Sequence, residues 1–430
     1  MRVMLTALVI PLVISCSGTE TPETVNQAPT IQYTATEIVV DYSRDARLTV
    51  SVSDPEGDPL TLTWEITSGT LSDGFSKTEK IWDPPSSVGT DTLTVSVSDG
   101  ELSDSVTEII KRGTRRTATQ YDGWTFTKAL SPWILDPPAN TQTIEFTTNS
   151  NSTVRIEPGA EVYVNLRDLA IEVRGTLESV GTQADTILVR PNDRTLRCGD
   201  ERGWWEGFRA RTDGPVAGRI NMEYTQVSYG RKNIWLQEGD ASASLQNCRF
   251  VCSEDAAVQM ASRGTLLVDN CDISSNRTHG IDISSLSTVP ASVTITNNFI
   301  RSNGHTGINM NLQDGSQTLD ITIERNEIKL NAVHGVAMTN AVWATIQRND
   351  FILNNLSDVS NIWLNTPFPG AVDVPADWDT LMAINNYWGR AYDPGEIGLI
   401  EDTVEDKSDD TALGTYVVVD PWENTPQAGQ

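Results

Sequence analysis

Arg325, Glu327, Arg348 and Asp350 are the residues whose types and spacing best suit covalent chemistry. An Arg-x-Glu and an Arg-x-Asp stand 23 residues apart. If the two segments lie side by side as neighbouring strands, their carboxylates approach to about one strand spacing, ~4.8 Å. A cation that neutralises a uronate carboxylate, beside a carboxylate base, is what removal of the adjacent proton needs. The competing reading is a surface checkerboard of exposed ion pairs, each contributing little. Three or more Asp do not cluster in one region, which disfavours a Ca²⁺-dependent lyase.

A second set suits binding. Trp235, Gln259, Asp282, Asn309 and Trp363 fall at equivalent places, with Ala337 between the last two. Beside them run Gln237, Ala261, Ser284, Asn311, Thr339 and Asn365. Stacked in register, they form a polar strip with a Trp at each end, five strand spacings or roughly 24 Å apart. Aromatic faces and amides suit sugar rings and hydroxyls; an ordinary solvated sheet face is the plainer alternative. The three histidines, His279, His305 and His334, fall in one turn of successive segments. A metal would need them to converge, and the outer two stand about two spacings apart, so no metal site is expected.

What must position these residues is a repeat. Its anchors are Val227, Phe250, Ile273, Ile300, Ile328 and Phe351, at intervals of 23, 23, 27, 28 and 23. Two residues before them stand Thr225, Cys248, Cys271, Asn298, Asn326 and Asn349; five before stand Met222, Leu245, Val268, Ile295, Ile323 and Ile346. After each anchor comes an alternating apolar pair, from Ile234/Leu236 to Ile362/Leu364. Period-two alternation means strands with one face inward. A period of this length marks a solenoid, in which stacked coils bury what one coil cannot. The inward Asn column predicts amide hydrogen bonds passed up the stack. Cys248 and Cys271 take that position in neighbouring coils and are expected as stacked thiols; pairing among Cys198, Cys248, Cys252 and Cys271 is otherwise open.

The turns Asn276-Arg-Thr-His-Gly280, Asn303-Gly-His-Thr-Gly307 and Asn331-Ala-Val-His-Gly335, with Ile384-Asn-Asn-Tyr-Trp-Gly389, resemble the right-handed parallel β-helix, the pectin-lyase-like fold. The resemblance implies the fold and leaves activity open, since that fold carries lyases, hydrolases, epimerases, adhesins and silent surface proteins.

The start of the chain supplies context. One Arg, an apolar run and Val13-Ile-Ser-Cys16 resemble a lipoprotein signal, with Cys16 the lipidated residue and residues 1–15 removed. Residues 16–29 read as a polar tether. Residues 30–112 show short alternating runs with turn clusters, the pattern of a small β-sandwich. Ser53-Asp-Pro-Glu-Gly-Asp-Pro-Leu60, Lys80-Ile-Trp-Asp-Pro-Pro85 and Val95-Ser-Val-Ser-Asp99-Gly100 resemble Ig-like, cadherin-like or PKD-like modules. Such a module could take Ca²⁺ through Asp54, Glu56, Asp58 or Asp99, or that segment is simply a turn. Residues 113–139 read as a connector, 140–400 as the β-helix and 401–430 as a covering strand and tail.

The formal charge of −27 and pI near 4.4 argue against nucleic acid or anionic lipid as a partner, since both would be repelled. No nucleophile elbow, phosphate loop or dinucleotide fingerprint occurs, and no cofactor beyond the Ca²⁺ considered above is expected. The expectation is an all-β, monomeric, lipid-anchored bacterial outer-membrane or cell-surface protein whose β-helix binds a glycan or partner surface. A polysaccharide lyase or hydrolase, and a structural envelope protein without a small ligand, are the alternatives.

Overall fold

The computed structural model describes residues 25–149, 151–198, 203–213, 216–285, 292–312, 320–339 and 344–354. Beyond these it describes Asn386 and the strands Ile362–Asn365, Thr380–Met382, Val404–Glu405 and Tyr416–Val418. The signal segment and Cys16 lie outside the described residues, as do the side chain of Trp363 and residues 366–379.

Each coil lays down three short strands, one on each of three parallel sheets. In the coil that opens the regular repeat they are Arg219–Glu223 on the first face, Thr225–Ser228 on the second and Ile234–Leu236 on the third. Parallel in-register pairing continues coil by coil on every face. All six anchors are fully buried on the second face; Met222 and its equivalents fill the first, and Ile234/Leu236 through Val336/Met338 the third. Burying each such side chain contributes roughly 1.5–3 kcal/mol relative to exposure, and only stacking achieves it.

Corners between the first and second faces are single residues in left-handed backbone: Tyr224, Asn247, Asn270, Asn297, Arg325 and Arg348. That conformation suits Asn. The next residue turns inward, which builds the expected ladder. Asn298 Nδ2 donates to Asn326 Oδ1 (2.9 Å), Asn326 to Asn349 (2.9 Å) and Asn349 to Asn386 (3.1 Å). A second ladder, which the sequence reading quoted only as turns, runs Asn276, Asn303, Asn331, Asn354, every step 2.9 Å. Gly280 and Gly307 belong to that corner. A Cβ on either would lie 2.6 Å from the glycine carbonyl of the next coil, a contact that glycine avoids and that a larger residue could make only if that carbonyl shifted.

Cys248 and Cys271 are buried free thiols, with the Cys248 amide donating to Cys271 Sγ (3.4 Å). Cys198 and Cys252 form a disulfide, a pairing the spacing alone left open.

The N-terminal module packs a sheet of Thr30–Tyr33, Ala46–Ser53, Glu79–Asp83 and Thr70–Asp73 against a second sheet around Leu48, Trp82, Leu93 and Val95. It does not hang on a connector. Strand Ser103–Arg116 pairs antiparallel with Gly89–Ser98, then its end pairs parallel with Trp133–Leu135 of the solenoid's second face. Thr125–Phe126 joins the first face. Residues 113–139 therefore supply the first solenoid strands; runs of two and three residues are too short to show a period. The Asn192 side-chain Oδ1 accepts from the Ile38 and Val39 amides (2.9 Å each), and Arg194 pairs with Glu108 (3.0 Å), locking module to solenoid. At the other end Val404–Glu405 extends the third face beyond Ile362–Asn365.

Candidate functional site

The strip on the third face forms as the spacing implies. Trp235, Gln259, Asp282, Asn309, Ala337 and Trp363 are successive Cα partners in parallel register. Ser284, Asn311, Thr339 and Asn365 are partners in the adjacent column. Strands this short hold one or two outward side chains between inward ones, so each polar residue stacks on its counterpart above and below.

Asp282 is the hub. Its carboxylate accepts from Gln259 Nε2 (2.7 Å), Ser284 Oγ (2.9 Å) and Asn309 Nδ2 (2.8 Å) and is 7% exposed. One carboxylate thereby orients donors from three consecutive coils. The strip continues downward into Arg209 and Glu172, which the sequence reading missed. Glu172 accepts from Arg209 (2.6 Å), Arg174 (3.0 Å) and Arg211 (3.1 Å). Burial pushes its carboxyl up, but the three guanidinium groups outweigh that and hold it below the usual range.

Trp235 is not a bare stacking platform. Lys232 Nζ stands 4.7 Å and Arg209 Cζ 5.8 Å from its ring centroid, within reach of a cation–π contact. Its indole N–H and the Gln237 side-chain oxygen are buried without a hydrogen-bond partner among the described residues. Both cations are also ion-paired, Lys232 with Asp255 (3.0 Å) and Arg209 with Glu172 (2.6 Å), so the lower end of the strip is aromatic with its charges balanced.

The histidines line the turn leading into this face. His279 and His305 do come together, edge to face at 4.8 Å, although the register sets them one residue out of step. Burial lowers the pKa of all three; neighbouring Asp282 opposes the fall at His279, while the other histidines deepen it at His334, to about 4. Among the described residues no three His, Cys, Asp or Glu are grouped to hold a metal ion. In the N-terminal module Asp54 Oδ1 accepts from the Glu56 (3.1 Å) and Asp58 (2.8 Å) amides, and Asp99 from Glu101 and Leu102 (2.7 Å each). Both carboxylates cap their own turns.

A depressed histidine pKa has a definite linkage sign. Above pH 6.5 His334 is neutral in both states; as pH falls towards 4 the unfolded chain takes up a proton that the native chain refuses. Stability should therefore fall across that window, by an amount that solvent screening of the part-exposed ring keeps small. His334→Gln should flatten the loss in denaturant titrations at pH 7 and pH 4.5; an unchanged slope would contradict the assignment.

The four-residue grid is divided by the corner. Glu327 and Asp350 are register partners on the second face, one strand spacing apart as expected. Arg325 and Arg348, at φ +56°, instead turn to Glu324 on the first face, at 3.3 and 3.1 Å. Glu327 pairs with Lys329, and Asp350 is buried. The cations and the carboxylate pair thus lie on different sides of a corner.

Residues 215–351 match the family model for a right handed beta helix region, and residues 26–111 match that for a bacterial Ig domain. The crystal structure of the periplasmic alginate epimerase AlgG is 10% identical over 65% of this chain and 72% of that chain, with a TM-score of 0.31. That likeness bears on neither substrate nor mechanism. No curated protein matches the chain.

Proposed function

From a right-handed β-helix joined to a bacterial Ig domain, we propose an extracytoplasmic protein that binds an extended glycan along the third face. The observation that carries this reading is the Asp282 hub, which fixes Gln259, Ser284 and Asn309 as a ladder across three coils. Repeating amide and hydroxyl groups at one strand spacing, about 4.8 Å, suit a polymer of hydroxylated rings lying along the solenoid axis. Trp235, held between Lys232 and Arg209, provides an aromatic end stop. Lipidation at Cys16, if it occurs at the resembling motif, would hold this face at a membrane surface, and outer-membrane placement is part of the same proposal.

A screen of the purified mature chain against diverse polysaccharides, read for retention and for chain shortening, tests it. Retention of at least one glycan with its length unchanged is the expected outcome. Depolymerisation would favour an enzyme and turn attention to Glu327 and Asp350. Absence of any retained glycan would reject the binding reading and leave a structural envelope protein.

A further inference from the structure

The first face carries a separate groove of about 770 Å³, lined among others by Arg219, Asn221, Asp240, Ser244, Arg263 and Leu267. We propose that it binds an anionic sugar chain, one bearing carboxylate or sulfate groups. This site lies on a different sheet from the Asp282 strip and does not rest on it.

Charge makes the groove unusual. The chain carries 58 acidic against 31 basic residues, and most guanidinium groups are occupied, as Arg112 is by Asp91 and Arg211 by Glu172 and Glu238. Arg219 is exposed and makes no side-chain hydrogen bond or ion pair among the described residues. Arg263 is exposed and ion-pairs with Asp240, its Nε standing 3.3 Å from the carboxylate. A guanidinium presents five N–H groups and pairs bidentately with carboxylate or sulfate-like oxygens. Register places Arg219 beside Ser242, and the next pair along, Ala243 beside Leu266, sets Ser242 next to Thr265, whose amide donates to Ser242 Oγ (3.0 Å), two residues beyond Arg263. The two residues are thus offset by roughly two strand spacings, about 10 Å, along the solenoid axis, and by two further residues along the chain.

The floor between them suits sugar rather than a bare ion. Asn221 makes no side-chain hydrogen bond among the described residues, and Ser244 accepts from Gln246 while keeping its own hydroxyl proton available. Leu267 adds an apolar ledge for the C–H face of a ring. The wall is built, not incidental. Hairpin strands Thr212–Asp213 and Val216–Ala217 are pinned by Thr212 Oγ1, which accepts from the Asp240 amide (3.0 Å) and donates to Glu238 O (3.2 Å). A Cβ on Gly239 would lie 2.2 Å from that hydroxyl. The net charge of −27 opposes any polyanion and Asp240 adds to that in the groove itself, so binding depends on the two guanidinium groups and should weaken with salt.

The test is calorimetric titration of the mature chain with oligogalacturonate, dextran sulfate, neutral dextran and inorganic polyphosphate. Binding of a carboxylated or sulfated chain, absence of neutral dextran binding, and weakening by about tenfold in Arg219→Ser are expected, the loss of one charge-assisted contact. Arg219→Lys should recover part of the affinity, and Asp282→Ala on the third face should leave it unchanged. Equal affinity for polyphosphate would overturn the sugar assignment. Unchanged affinity in the Arg219→Ser, Arg263→Ser double variant, or no binding of either anionic glycan, would overturn the site. Loss through Asp282→Ala alone would move the anionic chain to the third face.

Discussion

Asn326→Leu should lower the unfolding midpoint far more than any single change on the outer faces. Asn326 is fully buried. Its Nδ2 donates to Ile295 O and to Asn349 Oδ1, and its Oδ1 accepts from both the backbone amide and Nδ2 of Asn298, all at 2.9 Å. Leucine fills a similar volume but deprives the Asn298 backbone amide, one Asn298 Nδ2–H and the Ile295 carbonyl of their Asn326 partner. Each buried group left without a partner costs roughly 1–3 kcal/mol, and whole domains are stable by only about 5–15 kcal/mol. Thr322→Val, on the outer side of the first face, should shift stability by no more than about 0.5 kcal/mol. Equal midpoints for the two variants in chemical denaturation would mean that the ladder does not hold the coils together.

That ladder was legible in the sequence because the inward residues recur at one place relative to each anchor. Stacking turns a spacing in sequence into a column in space, so Trp235, Gln259, Asp282 and Asn309 could be aligned by counting alone. Counting fails at corners. Arg325 and Arg348 looked like outward strand residues flanking the ladder; a single left-handed residue instead redirects each of them to Glu324 on another face. Alternation has no signature for a positive φ except an Asn or Gly preference, and arginine breaks that preference. Neither could counting find Lys232 and Arg209 beside Trp235, since one comes from the preceding turn and the other from a coil outside the regular repeat. The fusion of the Ig-like module to the solenoid was hidden for a different reason. Ser103–Arg116 is a single long strand whose two halves serve different sheets, and a strand carries no mark of where its partner changes. The Cys198–Cys252 bond joins a loop to a corner, a proximity set by the coil path rather than by local pattern.

Asp282→Ala should have the largest effect on glycan binding. The carboxylate holds Gln259, Ser284 and Asn309 in one orientation; without it their side chains turn to water and must be reordered when a ligand arrives. Ordering a flexible polar side chain costs about 0.5–1.5 kcal/mol, so losing three should weaken binding by tenfold or more. The fold should survive, because Asp282 faces outward and its three donors, each part-exposed, can bond to solvent. The decisive measurement is the affinity of wild type and Asp282→Ala for a glycan that Arg219→Ser still binds, with unfolding midpoints determined in parallel. An affinity at least about ten times weaker, with the midpoint unchanged, is what a third-face binding site predicts; equal affinities in two equally stable proteins would contradict it.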